Sequence, residues 1–377
     1  MSDERLRDLL LAAPVPRADR ERVLEVVRRA FLERERVAWP RRHARHFALA
    51  AAALAVVGAA LSPPGLAVLG SLRDAVGRER VTRARPALVE LPAPGRLLVQ
   101  SAKGPWIVQA DGSRRLVGSY RDASWSPHGL YVAATRRNEL RVLDPKGTVR
   151  WALARPDVRF PRWTGSRTDT RIAYLSGSRL HLVAGDGTGD VDLCGEPAAA
   201  PLAPAWKPGG GRVLAYATTR GRVYVLDADT CSLVWRSAPF PAPRLLAWSS
   251  DGSLLALVTA DRLVVFSGTR PFVRPLRGVV AAAFQPGTHR LALVRDGELL
   301  LLDGDRPGGR PRRVFAGAGR FTDVAWSPGG RWLVLGWASA DQWLFIRSSP
   351  GGRLIAYDGI AQQFGGRAFP ALRGWAR

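Results

Sequence analysis

Over most of its length the chain alternates apolar and polar residues with the period of two that marks a half-buried strand. The alternation is interrupted by short polar turns, and the whole pattern recurs. D-A-S-W-S-P-H-G-L-Y-V-A-A-T (122–135), L-A-W-S-S-D-G-S-L-L-A-L-V-T (246–259) and V-A-W-S-P-G-G-R-W-L-V-L-G-W (324–337) share one form. In each, an aromatic ends one strand, a Pro- or Ser-containing turn closes on Gly, and a second strand follows. A third strand, a turn and a fourth strand come next, as in E-L-R-V-L-D-P-K-G and V-R-W-A-L after residue 138. The anchors are Trp125, Trp163, Trp206, Trp248, Phe284 and Trp326, at intervals of 38, 43, 42, 36 and 42. Four short antiparallel strands repeating every ~40 residues predict an all-β fold, a β-propeller.

Residues 95–120 supply three further strands whose opening strand is degenerate or comes from elsewhere in the chain. Counting them gives seven blades, and six remains the alternative. The propeller is expected over 88–365, with 366–377 as a C-terminal tail. The large anchor side chains suit the wedge between adjacent blades, a structural role rather than a ligand cage. The turn that follows each anchor needs the positive φ that Gly adopts without strain.

Ahead of the repeats the pattern changes. No charged side chain occurs between Arg45 and Arg73, and residues 47–70 are long and apolar enough to cross ~30 Å of hydrocarbon as a signal anchor, with Pro63 and Pro64 as a kink. Arg41, Arg42 and Arg45 abut the run and place the N-terminus in the cytoplasm and the propeller outside, although five Arg flank it on each side within 16 residues. Residues 71–87 form a linker that could lie in the interface as a helix. Residues 1–46 form a cytoplasmic stub, in which 18–36 is an amphipathic helix with Val23, Val27, Ala30 and Phe31 on one face. Such a helix needs a partner, so the stub is either a passive extension or a docking element for a cytoplasmic protein.

Charge and cysteine content change this picture little. The net charge is +24, but 53 of the 56 basic residues are Arg and they are scattered, so dispersed surface charge is expected and nucleic acid is not. Cys194 and Cys231 lie 37 residues apart without His or Cys at ligand spacing, which leaves a disulfide or two separate thiols and no zinc site. No nucleophile elbow, zinc-protease helix or phosphate loop occurs, and no cofactor is expected. G-D-G-T-G-D (185–190) lacks the terminal Glu of a calcium loop and is expected as a hairpin turn.

The W-S-P-x-G anchors at Trp125 and Trp326, with W-S-S-D-G at Trp248, resemble the TolB-like and WD-repeat-like propellers of bacteria over roughly residues 88–360. The resemblance implies a propeller that binds proteins. With its stub and Ala-rich span, the chain looks like the membrane-anchored propellers of high-GC actinobacteria. V-L-D-A-D-T-C-S-L-V-W (225–235) is similar to the repeat of pyrroloquinoline-quinone propellers, which implies a quinone-binding enzyme as the alternative to a non-enzymatic binding or sensing module.

Overall fold

The computed structural model describes residues 81, 83–165, 169–193, 197–209, 212–349 and 352–377. The stub and the apolar run at 47–70, with Arg41, Arg42 and Arg45, lie outside them. Among the described residues no helix is long and apolar enough to cross a membrane.

Seven four-stranded antiparallel sheets form the seven blades of a propeller, which removes the six-bladed alternative. In chain order the inner strands are Asp122–Trp125 (blade two), Val158–Gly165 (three), Ala205–Trp206 (four), Pro243–Trp248 (five), Val279–Phe284 (six) and Phe321–Trp326 (seven). Blade one takes Arg96–Ser101, Gly104–Val108 and Arg114–Leu116 from the start of the repeats, and its inner strand is Ala371–Ala376 from the end of the chain. The segment 366–377, expected as a tail, therefore closes the ring. A propeller open at this seam would leave the Arg96–Ser101 edge unpaired, and antiparallel pairing of Leu97 with Trp375 and Gln100 with Ala371 supplies the missing ladder.

Each blade buries both faces against its neighbours, so the second strands read as continuous apolar runs. Leu254–Thr259 is buried at all six positions. Seven apolar clusters result, one at each junction between blades. The turns after the anchors use glycine as the sequence requires, with φ of 65° at Gly129, 71° at Gly252 and 66° at Gly330.

The linker expected at 71–87 is not separate from the ring where it is described. Arg85 forms a parallel bridge with Tyr357 on the outer strand of blade seven, donating its N–H to Ala356 and accepting from Asp358. Gln342, fully buried in the same blade, both donates to and accepts from the Val81 backbone at 3.0 Å. Leu88 N–H donates to Gln363 Oε1, and Leu88 and Leu91 join the blade seven and one cluster.

Candidate functional site

Each sequence anchor sits in its inner strand and faces the preceding blade. Trp125 packs on blade one, Trp163 on two, Trp206 on three, Trp248 on four, Phe284 on five and Trp326 on six. Three indoles also donate across the junction to the carbonyl of the residue before the previous anchor. Trp206 bonds Arg162 at 2.9 Å, Trp248 bonds Ala205 at 3.0 Å and Trp326 bonds Ala283 at 3.0 Å. Trp375 on the closing strand is a seventh anchor, packed on blade seven with its ring centroid 5.8 Å from that of Phe345. Sequence reading missed it because the chain ends two residues later, with no turn or second strand behind it.

Cys231 is disulfide-bonded, with a left-handed φ of 58°. Cys194 lies outside the described residues. No group of His, Cys, Asp and Glu among the described residues is arranged to hold a metal ion.

The inner strands carry a second regularity that the sequence does not announce. Those of blades one, three, five, six and seven are all bulged, the register slipping around Arg373, at Arg159/Arg162, Pro243/Leu245, Val279/Ala281 and Phe321/Val324. A bulge turns a strand's side chains out of strict alternation, and here that releases polar residues from the blade junctions. Three of them, Asp323, Arg373 and Arg162 of blades seven, one and three, form a charged array with Asp122 of the unbulged inner strand of blade two. Arg373 Nε stands 3.3 Å from Asp122 Oδ1, and Arg162 Nη1 stands 3.9 Å from Asp122 Oδ2. Arg162 also donates to the Pro161 carbonyl at 2.7 Å. Its side chain keeps 32% of its surface open, yet the surrounding protein desolvates the guanidinium enough to lower its pKa, against the opposing field of Asp122 and with the help of the Arg373 cation. Burial likewise pushes the Asp323 carboxyl up, opposed by its bond to Thr322 and by Arg373. One carboxylate, Asp122, thus stands between two guanidiniums.

Next to Asp122 in sequence, the segment entering blade two, that blade's 137–138 hairpin and the crossing into blade three line an open cavity of about 550 Å³, formed by Arg121, Arg137, Asn138, Pro156, Asp157 and Arg159. Backbone bonds zip its two walls together: Val158 donates to Arg137 at 2.9 Å and Arg155 to Asn138 at 3.2 Å. Asp157 and Phe160 hold φ of 45° and 54°, left-handed values that cost a non-glycine residue about 1–3 kcal/mol each. They bracket Arg159, which Asp157 grips at 2.9 and 2.8 Å. Arg121 and Arg137 make no ion pair among the described residues and are exposed. The arrangement has the chemistry of an anion receptor: three guanidiniums around one cavity and a single carboxylate, Asp157, already engaged with Arg159.

No family model and no curated protein matches the sequence. Among solved structures the chain is similar to a chain of a crystal structure of the mitotic checkpoint complex, with a TM-score of 0.53 and 18% identity over 74% of this chain and 97% of that one. At that identity the likeness concerns the fold alone. The class is that of seven-bladed β-propellers.

Proposed function

We propose that the chain is a non-enzymatic protein-binding propeller, tethered to a membrane by residues 47–70 and held outside the cytoplasm, which receives an acidic surface of its partner on the arginine-lined loops of blades two and three. The observation that carries this reading is the rim itself. Arg121 and Arg137 are exposed and make no ion pair among the described residues, while Arg162 and Arg373 share Asp122. A partner's carboxylates complete the pairing that the chain leaves open, and loops gathered from several blades are where a propeller can vary its surface without disturbing its wedges. The tether rests on the uncharged run and on Arg41, Arg42 and Arg45 at its N-terminal edge. The stub at 1–46 is then free to meet a cytoplasmic protein.

Two experiments test the two halves separately. Reporter fusions at each terminus should show the N-terminus inside and the C-terminus outside, and a cytoplasmic C-terminus refutes the topology. Crosslinking from membranes with wild-type protein and with the Arg121→Glu, Arg137→Glu double variant should lose the partner in the variant. An unchanged set of partners rules out the rim as the binding surface.

A further inference from the structure

In every blade the outer strand sets one side chain opposite the third-strand residue that packs toward the following blade. That position is Trp151 opposite Val142 in blade two, Trp235 opposite Val225 in blade four and Phe272 opposite Val265 in blade five. Where it is tryptophan the indole fills the seam to the following blade. Trp151 joins the blade two and three cluster and donates from Nε1 to the Gly185 carbonyl at 2.8 Å, over a turn where a Cβ on Gly187 would lie 2.8 Å from the ring. Trp235 packs on Phe266 of blade five, ring centroids 5.1 Å apart. In blade six the position opposite Leu301 is Arg312. The seam it should fill holds a cavity of about 210 Å³, floored by Leu299, Leu301, Trp326 and Leu333, with Arg312 and Arg347 beside it.

Charge distinguishes this seam further. The neighbouring Arg313 reaches Glu298 at 3.3 Å, whereas Arg312 and Arg347 make no ion pair among the described residues. In blade one the same position is also arginine, but Arg115 donates to the Lys146 carbonyl at 3.3 Å. The seam between blades six and seven combines a cavity, at the position that an indole fills in two other seams, with two guanidiniums that make no ion pair among the described residues.

We infer that this seam is a second binding site, distinct from the loop rim, for an extended peptide that inserts one aromatic side chain next to an acidic residue. The aromatic takes the place that Trp151 takes in its own seam, and the carboxylate meets Arg312 and Arg347. The volume, below the ~300–1,000 Å³ of sites for whole small ligands, suits one such side chain. Burying one aromatic and making one charge-assisted contact corresponds to a dissociation constant of about 1 mM for a minimal ligand.

The probe is the acetylated, amidated tripeptide Asp-Trp-Glu, titrated into the full chain and followed by peptide NMR line broadening, with Asp-Ala-Glu and Lys-Trp-Lys as controls. Saturable binding of the first, with both controls at least about tenfold weaker, supports the site. Arg312→Trp places here the side chain that Trp151 and Trp235 supply in their own seams, so it should raise the melting temperature and abolish binding. Arg347→Ala should weaken binding about tenfold while the fold persists. The Arg121→Glu, Arg137→Glu variant should bind the tripeptide as wild type does, which separates this site from the rim. No saturable binding up to about 10 mM, equal binding of Lys-Trp-Lys, or undiminished binding to a folded Arg312→Trp variant overturns the inference.

Discussion

His289 stands in the turn after the inner strand of blade six, and its two ring nitrogens meet two carboxylates. Nδ1 lies 2.6 Å from Asp305 Oδ1 of its own blade, and Nε2 lies 2.8 Å from Asp251 Oδ2 in the corresponding turn of blade five. Both contacts are satisfied as donors only by the imidazolium, so bonding to Asp251 and then to Asp305 raises the His289 pKa above its ordinary 6.5. The same bond, together with the Ser249 hydroxyl, holds Asp251 far below its ordinary 3.8. The clamp is partly open to water, with 27% of the imidazole and 51% and 62% of the two carboxylate side chains exposed. Screening therefore limits each pair to about 0.5–1 kcal/mol, and the clamp to about 1–2 kcal/mol. For a domain of this size that is a fall of about 2–4 °C in melting temperature on His289→Asn. The sign with pH follows from the direction of the shift. A histidine raised in the folded state contributes stability that is complete below the unfolded value of 6.5 and is lost as pH rises through the folded value. Asp251 acts oppositely and loses its contribution only at strongly acid pH. Scanning calorimetry of wild type and His289→Asn from about pH 5.5 to 9 should show a gap that narrows as pH rises. A gap that is constant or widens with pH refutes the clamp, and so does one that survives molar salt undiminished.

Other junctions give further expectations. Trp326→Phe removes the donor to the Ala283 carbonyl and should cost about 1 kcal/mol in urea unfolding, while Trp375→Ala opens the closing seam and should cost about 3–5 kcal/mol. Equal effects of the two would contradict the distinction between a bond and a wedge. The two cysteines of the chain bracket a 37-residue loop; their pairing predicts a linked 194/231 peptide in a non-reducing digest and a loss of about 4 kcal/mol on reduction. Recovery of the two as separate unlinked peptides would exclude it.

The blades were legible because each repeats a complete local grammar, in which an aromatic closes a strand, Gly turns the chain and an apolar strand returns. Trp248-Ser249-Ser250-Asp251-Gly252 shows all of it in five residues. Trp375 has the same role without the grammar, 49 residues after Trp326 and two from the end of the sequence, and so its segment read as a tail. The candidate sites were illegible for a different reason. Arg373 and Asp323 reach Asp122 and Arg162 only because the closing strand returns to blade one, and three of the four stand on bulges that no local pattern marks. Arg312 in turn is informative only through the register that makes it the counterpart of Trp151.

The chain ends of the ring are bound to one another as well as to the blades. Val81 is held by the buried Gln342 amide, Arg85 runs beside Tyr357, and Leu88 shares Gln363 with Arg114 of blade one. Gln363 belongs to the short helix Ile360–Gln363 that hands the chain from blade seven to the closing strand. Tension on the N-terminal segment is therefore not spread over the propeller. It is delivered to one blade and to the latch beside it, the same seam at which the closing strand pairs with Arg96–Ser101.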